Sequence, residues 1–251
     1  MRAGAVVFRL RMPILGTLVI IGFWAPWIEA RAPGPSFGTR TPLLEWLALE
    51  LSRAGLVRFT AATPAVIVLA ALLAAMGAAL RVWGTAYLGP GAVHCAAMKA
   101  GGVLADGPYR YVRNPLYLGV GFMIAALAFI MPVSGALFAM GTVSAFLFIL
   151  IRSEENFLSA TLGEPYRAYL CAVPRLIPRL RSRLPHAGGK PHWGRAILAE
   201  LNPIGIFLTF AVFSWSYDNW LMIRAILVSL GVSLVVRALM LGITRADGLP
   251  K

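Results

Sequence analysis

Charged and aromatic side chains gather in two polar stretches of an otherwise apolar sequence. The first stretch contains Arg110 and Arg113, and the second contains the adjacent carboxylates Glu154 and Glu155. Guanidinium groups make charge-assisted hydrogen bonds to carboxylates or phosphates, often through two parallel donors. Two neighbouring carboxylates at the end of a helix oppose its macrodipole and therefore require cationic or hydroxyl partners. Both stretches also supply aromatic faces and hydroxyl groups, from Tyr109, Tyr111, Tyr117, Tyr166 and Tyr169.

Together these residue types suit a zwitterionic ligand with a cationic centre and ribose hydroxyls. S-adenosylmethionine has a carboxylate, an ammonium, a sulfonium, an adenine and a ribose. An arginine would bind its carboxylate, a glutamate its ammonium or ribose, and aromatic faces its sulfonium through cation–π attraction. The alternative is that the arginines only set membrane topology, the tyrosines form an interfacial belt, and Glu154 neutralises Arg152 or Arg113. The residues by themselves leave both interpretations open.

The composition indicates a membrane protein. Hydrophobic residues make up 59% of the 251 residues, charged residues make up 13%, and the mean hydropathy is +0.76. Soluble domains are about 45–50% apolar and about 25% charged. Lipid must therefore serve as the solvent for several helices, and the sequence predicts an all-α, polytopic transmembrane bundle.

Six apolar runs predict about six transmembrane helices. They span residues 13–28, 64–88, 116–131, 133–151, 196–215 and 220–243. The third and fourth runs are separated only by a short turn at Pro132, which predicts an antiparallel helical hairpin. The first run follows an arginine-containing start but precedes no small-x-small cleavage site, so we interpret it as a retained helix and not a signal peptide. Residues 43–59 are amphipathic and are expected to lie along the membrane interface.

The distribution of charge predicts the orientation. The formal net charge is +13, and eight of the 23 lysines and arginines lie between Arg152 and Arg195. Because the basic residues gather between apolar runs, they argue against a nucleic-acid surface and fit the positive-inside rule and contact with anionic membrane lipids. We expect a multi-pass protein of a bacterial inner membrane with both termini in the cytoplasm. The predicted inner segments are 1–12, 89–115, 152–195 and 244–251.

This topology predicts that the two polar stretches meet. The helical hairpin between them returns the chain to the side of the membrane from which it started, which places both stretches at the cytoplasmic face. The expected organisation is an N-terminal helix with an interfacial segment, a membrane core, a basic loop and a C-terminal transmembrane hairpin, over residues 1–63, 64–180, 181–195 and 196–251 respectively.

Short motifs follow one another through this core in a specific order. They are Gly107-Pro108-Tyr109, Arg113-Asn114-Pro115-Leu116-Tyr117, Glu154-Glu155, Gly163 with Tyr166 and Tyr169, and Val173-Pro174, with Arg81, Trp83, Leu88 and Gly89 upstream. The series resembles the isoprenylcysteine carboxyl methyltransferase and phospholipid methyltransferase superfamily of integral membrane methyltransferases. In that superfamily a Gly-x-Tyr and an Arg-His-Pro-x-Tyr element precede a helical hairpin, an acidic pair, a Gly-x-x-Tyr-x-x-Tyr element and a Val-Pro.

The resemblance implies an S-adenosylmethionine-dependent methyltransferase that acts on a lipid-like or small hydrophobic acceptor. The implied cofactor-binding residues are Pro108, Tyr109, Arg110, Tyr111, Arg113, Asn114, Tyr117, Glu154 and Glu155, and the implied acceptor-binding residues are Arg152, Tyr166 and Tyr169. Asn114 stands where many members have histidine, so it keeps a hydrogen bond but loses proton transfer. Leu150 stands where members that methylate prenylcysteine carboxylates carry an arginine, which argues against that acceptor.

Neither a catalytic nucleophile nor a metal site is expected from the sequence. A sulfonium methyl group is already activated, so catalysis can come mainly from positioning and desolvation. Two other functions stay open. One is an NADPH-dependent membrane reductase of the sterol-reductase type, whose signature joins Asn directly to Tyr, whereas Asn114 is followed by Pro115. The other is a non-catalytic transporter or scaffold, although inverted repeats and broken helices are not recognised.

Overall fold

The computed structural model describes residues 10–24, 41–88 and 105–246, and within these ranges the chain is helical and forms no strand. The helices are α1 (Arg11–Trp24), α2 (Leu43–Arg53), α3 (Phe59–Leu88), a 3₁₀ helix (Gly107–Arg110), α4 (Pro115–Ala128), α5 (Val133–Leu162), α6 (Glu164–Ala172), α7 (Trp193–Ala199), α8 (Leu201–Ser216) and α9 (Asn219–Ala246). The predicted all-α class is confirmed. Gly89 and large parts of the predicted inner segments 1–12, 89–115 and 244–251 lie outside the described residues.

Helices α3 and α5 are the elements best suited to cross a bilayer. Each has 30 residues and an apolar window long enough for a span. At 1.5 Å per residue each is about 45 Å long, which exceeds the hydrocarbon thickness of about 30 Å and leaves its ends in the polar region. Helices α7 and α8 pass the same test only as a pair bent by 72°. The described residues thus hold two full-length candidate spans, or three with the bent pair.

Other predicted runs form shorter apolar helices. Helices α1 and α4 have 14 residues each, and within α9 the apolar stretch covers Arg224–Val236. A perpendicular span needs about 20 residues. The chain is therefore an integral membrane protein with long apolar helices, and the total of about six spans stays a prediction.

The described residues divide into two compact units, and α3, α4 and α5 contribute residues to both. The first unit comprises Met1–Ala74 and Val120–Phe157. In it, α1 approaches α5 where glycines face one another, because a Cβ atom on Gly22 would lie 3.0 Å from the Cβ of Ala139 and one on Gly135 would collide with the carbonyl of Gly22. Small residues permit such close helix contacts in membranes.

The second unit comprises Ala75–Gly119 and Leu158–Lys251. Part of its core is a buried cluster formed by Leu158, Tyr166, Tyr169 and Val173. Helices α8 and α9 also pack together in this unit, where Gly205 lets the backbone of α8 approach Ser229 so closely that a Cβ atom would not fit. The 3₁₀ helix and most of the predicted site residues belong to this unit.

Candidate functional site

The 3₁₀ helix brings the first predicted motif next to the end of α3. Gly107 has a φ of +55°, a conformation that side chains with a Cβ atom rarely adopt. A Cβ atom at Gly107 would also collide with the ring of Tyr87. Pro108 then occupies the first turn of the 3₁₀ helix, where a missing N–H group costs nothing. Glycine and proline are thus required here by geometry.

Two tyrosine hydroxyl groups hold the 3₁₀ helix in place. The hydroxyl of buried Tyr109 donates a hydrogen bond to the carbonyl of Gly84 at 3.4 Å. The hydroxyl of Tyr169, which is 5% exposed, donates to the carbonyl of Tyr109 at 2.8 Å. The ring of Tyr166 lies beside that of Tyr169, with 5.8 Å between ring centroids. The structure therefore brings these three predicted residues together as an interior support.

Segment 181–192, which we call the basic strap, is fastened to the 3₁₀ helix by two charged side chains. The guanidinium of Arg110 donates from Nε and Nη2 to the carbonyl of Leu184, at 3.1 and 2.7 Å. The carboxylate of Asp106, only 2% exposed, accepts from the backbone N–H groups of Ala187 at 2.8 Å and Gly189 at 2.6 Å. Two of the donor groups of Arg110 are thus occupied by hydrogen bonds to the strap.

The segment after α6 lies along the second predicted motif. The backbone N–H of Arg113 donates to the carbonyl of Pro174 at 2.9 Å, and Nδ2 of Asn114 donates to the carbonyl of Arg175 at 3.2 Å. The backbone N–H of Arg179 donates to the carbonyl of Tyr111 at 3.1 Å. The predicted Val-Pro element therefore meets the Arg-Asn-Pro element, and the amide of Asn114 acts as a donor to the backbone.

Half-buried side chains of this region are the ones that a ligand can reach. Tyr111, Arg113 and Tyr117 have intermediate exposure, whereas Pro108, Tyr109 and Asn114 are buried. Trp83 on α3 is also half-buried, and its ring lies 6.1 Å from that of Tyr111 between centroids. The second unit thus holds half-buried aromatic rings and a guanidinium, which are groups of the kind that bind a cationic centre and a carboxylate.

The acidic pair and Arg152 lie on the part of α5 that belongs to the first unit. Glu155 is buried, Glu154 is half-buried, and Arg152 is exposed with its guanidinium carbon 5.2 Å from the centroid of the Phe148 ring. Glu154 and Leu158 are four residues apart in α5 and so share a face of that helix. That the acidic pair meets the Tyr109–Tyr117 stretch stays a prediction.

Glu200 is a buried residue of the second unit that the sequence analysis missed. It lies between α7 and α8 and is 1% exposed, and its carboxylate accepts three hydrogen bonds. Arg81 donates from Nε at 2.6 Å and from Nη2 at 3.0 Å, and Thr85 donates from its hydroxyl at 2.7 Å. Glu200 is the only charged residue between Arg195 and Asp218, and a lone carboxylate in an apolar run predicts a buried partner. That signal was available.

Comparison with known proteins identifies the central part of the chain. Residues 65–165 match the family model described as phospholipid methyltransferase. These residues, which make up less than half of the chain, are similar to that family. The superfamily predicted from the motifs is thereby confirmed, and the matched residues include both the Tyr109–Tyr117 stretch and the Glu154–Glu155 pair. No solved structure matches the chain.

Three curated relatives share a shorter stretch. A methanethiol S-methyltransferase of Crocosphaera subtropica is 41% identical over 70 residues, which is 28% of this chain and 27% of the relative. Methanethiol S-methyltransferase 1 of Bradyrhizobium diazoefficiens is 36% identical over 74 residues, which is 30% and 25% of the two chains. The methanethiol S-methyltransferase of Mycobacterium tuberculosis is 39% identical over 71 residues, which is 28% of this chain and 28% of the relative. The similarity thus spans about a quarter of each relative.

Proposed function

We propose that this chain is an integral membrane methyltransferase that uses S-adenosylmethionine and methylates a small hydrophobic acceptor, with a thiol as the first candidate. The observation that carries the proposal is that the phospholipid methyltransferase match, over residues 65–165, includes the Tyr109–Tyr117 stretch and the Glu154–Glu155 pair, which could bind such a donor. The membrane topology expected from the charges, with the site and both termini on the cytoplasmic side, forms part of the proposal.

The described residues fit this cofactor by their chemistry. The half-buried rings of Trp83, Tyr111 and Tyr117 offer faces for the sulfonium and the adenine, and the guanidinium of Arg113 offers donors for the carboxylate. In the proposal, Glu154 binds the ammonium or a ribose hydroxyl. When bound, S-adenosylmethionine supplies a methyl group on a positively charged sulfur, which is a strong electrophile.

The protein's own contribution is to position and desolvate the reactants. The hydrogen bonds of the Tyr109 and Tyr169 hydroxyl groups hold the 3₁₀ helix rigidly, so that the half-buried side chains next to it keep their positions. The acceptor is itself the nucleophile, so the chain needs no nucleophilic side chain. Holding two reactants in line and away from water supplies much of the barrier reduction in such reactions.

A small thiol fits better than a prenylcysteine carboxylate. The three relatives are named for methyl transfer to the sulfur of methanethiol. Leu150 occupies the place of the arginine that the superfamily's prenylcysteine methyltransferases use for their acceptor, and it is 1% exposed and apolar. The chain therefore offers no cation there for an acceptor carboxylate, whereas a neutral thiol needs none.

Methyl transfer to a panel of acceptors tests the proposal. The full-length chain in lipid nanodiscs is incubated with S-adenosylmethionine carrying a labelled methyl group, and products are identified by mass spectrometry. The acceptors are methanethiol, a longer alkanethiol and phosphatidylethanolamine vesicles. We expect a labelled thioether. A labelled phospholipid amine without thioether would contradict the thiol acceptor, and no labelled product from any acceptor would contradict the methyltransferase.

Paired variants test the cofactor role of Glu154. Glu154→Gln is expected to lower transfer by about tenfold or more, because a charge-assisted hydrogen bond is worth about 1.5–3 kcal/mol. Glu164→Gln is the matched control, since Glu164 is 83% exposed and its contact with Arg167 is a long surface pair of 3.8 Å. Equal rates for both variants would remove Glu154 from the proposed site.

A further inference from the structure

The carboxylate of Glu200 joins the C-terminal helices to α3. Glu200 lies outside the matched residues 65–165, at the 72° bend between α7 and α8. Its side chain is 1% exposed, and both carboxylate oxygens bind side chains of α3, namely Arg81 and Thr85. A buried carboxylate is retained as a charge only when such partners satisfy it. The contact is therefore specific.

This contact fixes the rotation of the last turns of α3. Arg81 and Thr85 are four residues apart, so they share one face of the helix and both reach Glu200. Trp83 lies on the opposite face, where its ring lies beside that of Tyr111, and the carbonyl of Gly84, next to the Arg81 face, accepts a hydrogen bond from Tyr109 of the 3₁₀ helix. The carboxylate of Glu200, bound on one face of α3, thus orients the Trp83–Tyr111 pair on another face.

Two further contacts fix α3 along its axis. The last four carbonyl groups of a helix have no partner within it, and one of these, from Ala86, accepts a hydrogen bond from the backbone N–H of His192 at 2.8 Å. The stem of Arg81 also lies against α4, where a Cβ atom on Gly119 would be 2.7 Å from its Cγ atom. The end of α3 is therefore held at two points, one by the segment leading into α7 and one by α4.

We propose that Glu200 is a positioning residue for the methyl-donor site. It acts through Arg81 and Thr85 to hold α3, and with it the Trp83–Tyr111 face, without touching the donor. The inference rests on the proposed function, because it assigns that face to S-adenosylmethionine. The region that begins at α7 thereby contributes to methyl transfer by positioning the donor site.

The experiment separates positioning from stability by removing both charges at once. The full-length chain is purified as wild type, Glu200→Leu, Arg81→Met and the double variant. S-adenosylmethionine affinity is measured by calorimetry, and Tm by tryptophan fluorescence. Glu200→Leu leaves the partly buried charge of Arg81 without its partner, and Arg81→Met leaves the buried charge of Glu200 without one. Both Tm and affinity are therefore expected to fall in each single variant, the affinity by about tenfold or more. The double variant leaves no such charge, so its Tm is expected to return close to that of the wild type.

The affinity of the double variant decides the proposal. We expect it to stay about tenfold weaker than that of the wild type, because apolar side chains do not fix the rotation of α3 as a bidentate pair does. Wild-type affinity in the double variant would overturn the proposal and leave Glu200 with a purely structural role. A wild-type chain that does not bind S-adenosylmethionine would refute the proposed function itself, and the inference with it, so the two failures are distinguishable.

A milder pair of variants decides the matter if the double variant does not fold. Thr85→Val removes one donor to Glu200 and keeps the shape of the side chain, so we expect an affinity about threefold weaker and a Tm lower by a few degrees, as for the loss of one buried hydrogen bond. Thr85→Ser keeps the hydroxyl and is expected to restore wild-type affinity. Glu164→Gln, an exposed surface carboxylate, serves as the control for charge alone. Equal affinities for the valine variant and the wild type would overturn the proposal.

Discussion

The hydroxyl of Tyr169 offers a direct measure of how firmly the 3₁₀ helix is held. It donates to the carbonyl of Tyr109 at 2.8 Å from a side chain that is almost fully buried. Tyr169→Phe removes this donor and keeps the ring. Losing a buried hydrogen bond costs about 1–2 kcal/mol, which for a chain of this size lowers Tm by about 2–8 °C. The loss is also expected to be local, since the bond joins α6 to one short helix.

Hydrogen exchange followed by mass spectrometry localises the effect. Peptides that cover residues 107–113 are expected to exchange about tenfold faster in Tyr169→Phe, because about 1.4 kcal/mol corresponds to a factor of ten in the opening equilibrium. Tyr217→Phe is the control, since Tyr217 is 50% exposed at the C-terminus of α8. Unchanged Tm and exchange in Tyr169→Phe would refute the view that this hydroxyl supports the 3₁₀ helix.

Two further substitutions test the parts that surround the 3₁₀ helix. Gly107→Ala is expected to lower the free energy of unfolding by clearly more than Gly55→Ala, which should cost about 1 kcal/mol. Both glycines have a positive φ, but of the two only Gly107 has no room for a Cβ atom. Similar losses of Tm in the two variants would contradict the contact between Gly107 and Tyr87. In the wild type, the two carboxylate oxygens of Asp106 each accept a hydrogen bond from one backbone N–H group of the basic strap. Asp106→Asn removes one of these two acceptors and is expected to raise the rate of trypsin cleavage in the strap by about tenfold or more. An unchanged cleavage pattern would show that Asp106 does not fasten the strap.

The sequence predicted the elements that depend on local pattern and composition. Apolar runs correspond to α3, α5 and α9, and the turn around Pro132 separates α4 from α5 as expected, whereas the fifth run, residues 196–215, is not one helix because the chain bends by 72° between α7 and α8. The order of short motifs was enough to predict the superfamily that the comparison confirms. These signals succeed because a membrane imposes helices on long apolar runs and because the motifs lie close together along the chain.

Sequence reasoning could not resolve which site residues support and which ones face a ligand. Arg110 and Asn114 share one stretch with Arg113, yet they donate to the carbonyl groups of Leu184 and Arg175, which lie 74 and 61 residues further along the chain. Hydrogen bonds between residues so far apart along the chain leave no periodic pattern in the sequence. The pairing of Glu200 with Arg81 spans 119 residues and is of the same kind, although the isolated carboxylate itself was visible.

Equilibrium binding of the methyl donor tests the central claim most directly. Purified full-length chain in nanodiscs is titrated with S-adenosylmethionine and, separately, with NADPH in an isothermal calorimeter. We expect saturable binding of S-adenosylmethionine that the demethylated product displaces, and no binding of NADPH. Selective binding of NADPH would contradict this expectation and favour a membrane reductase.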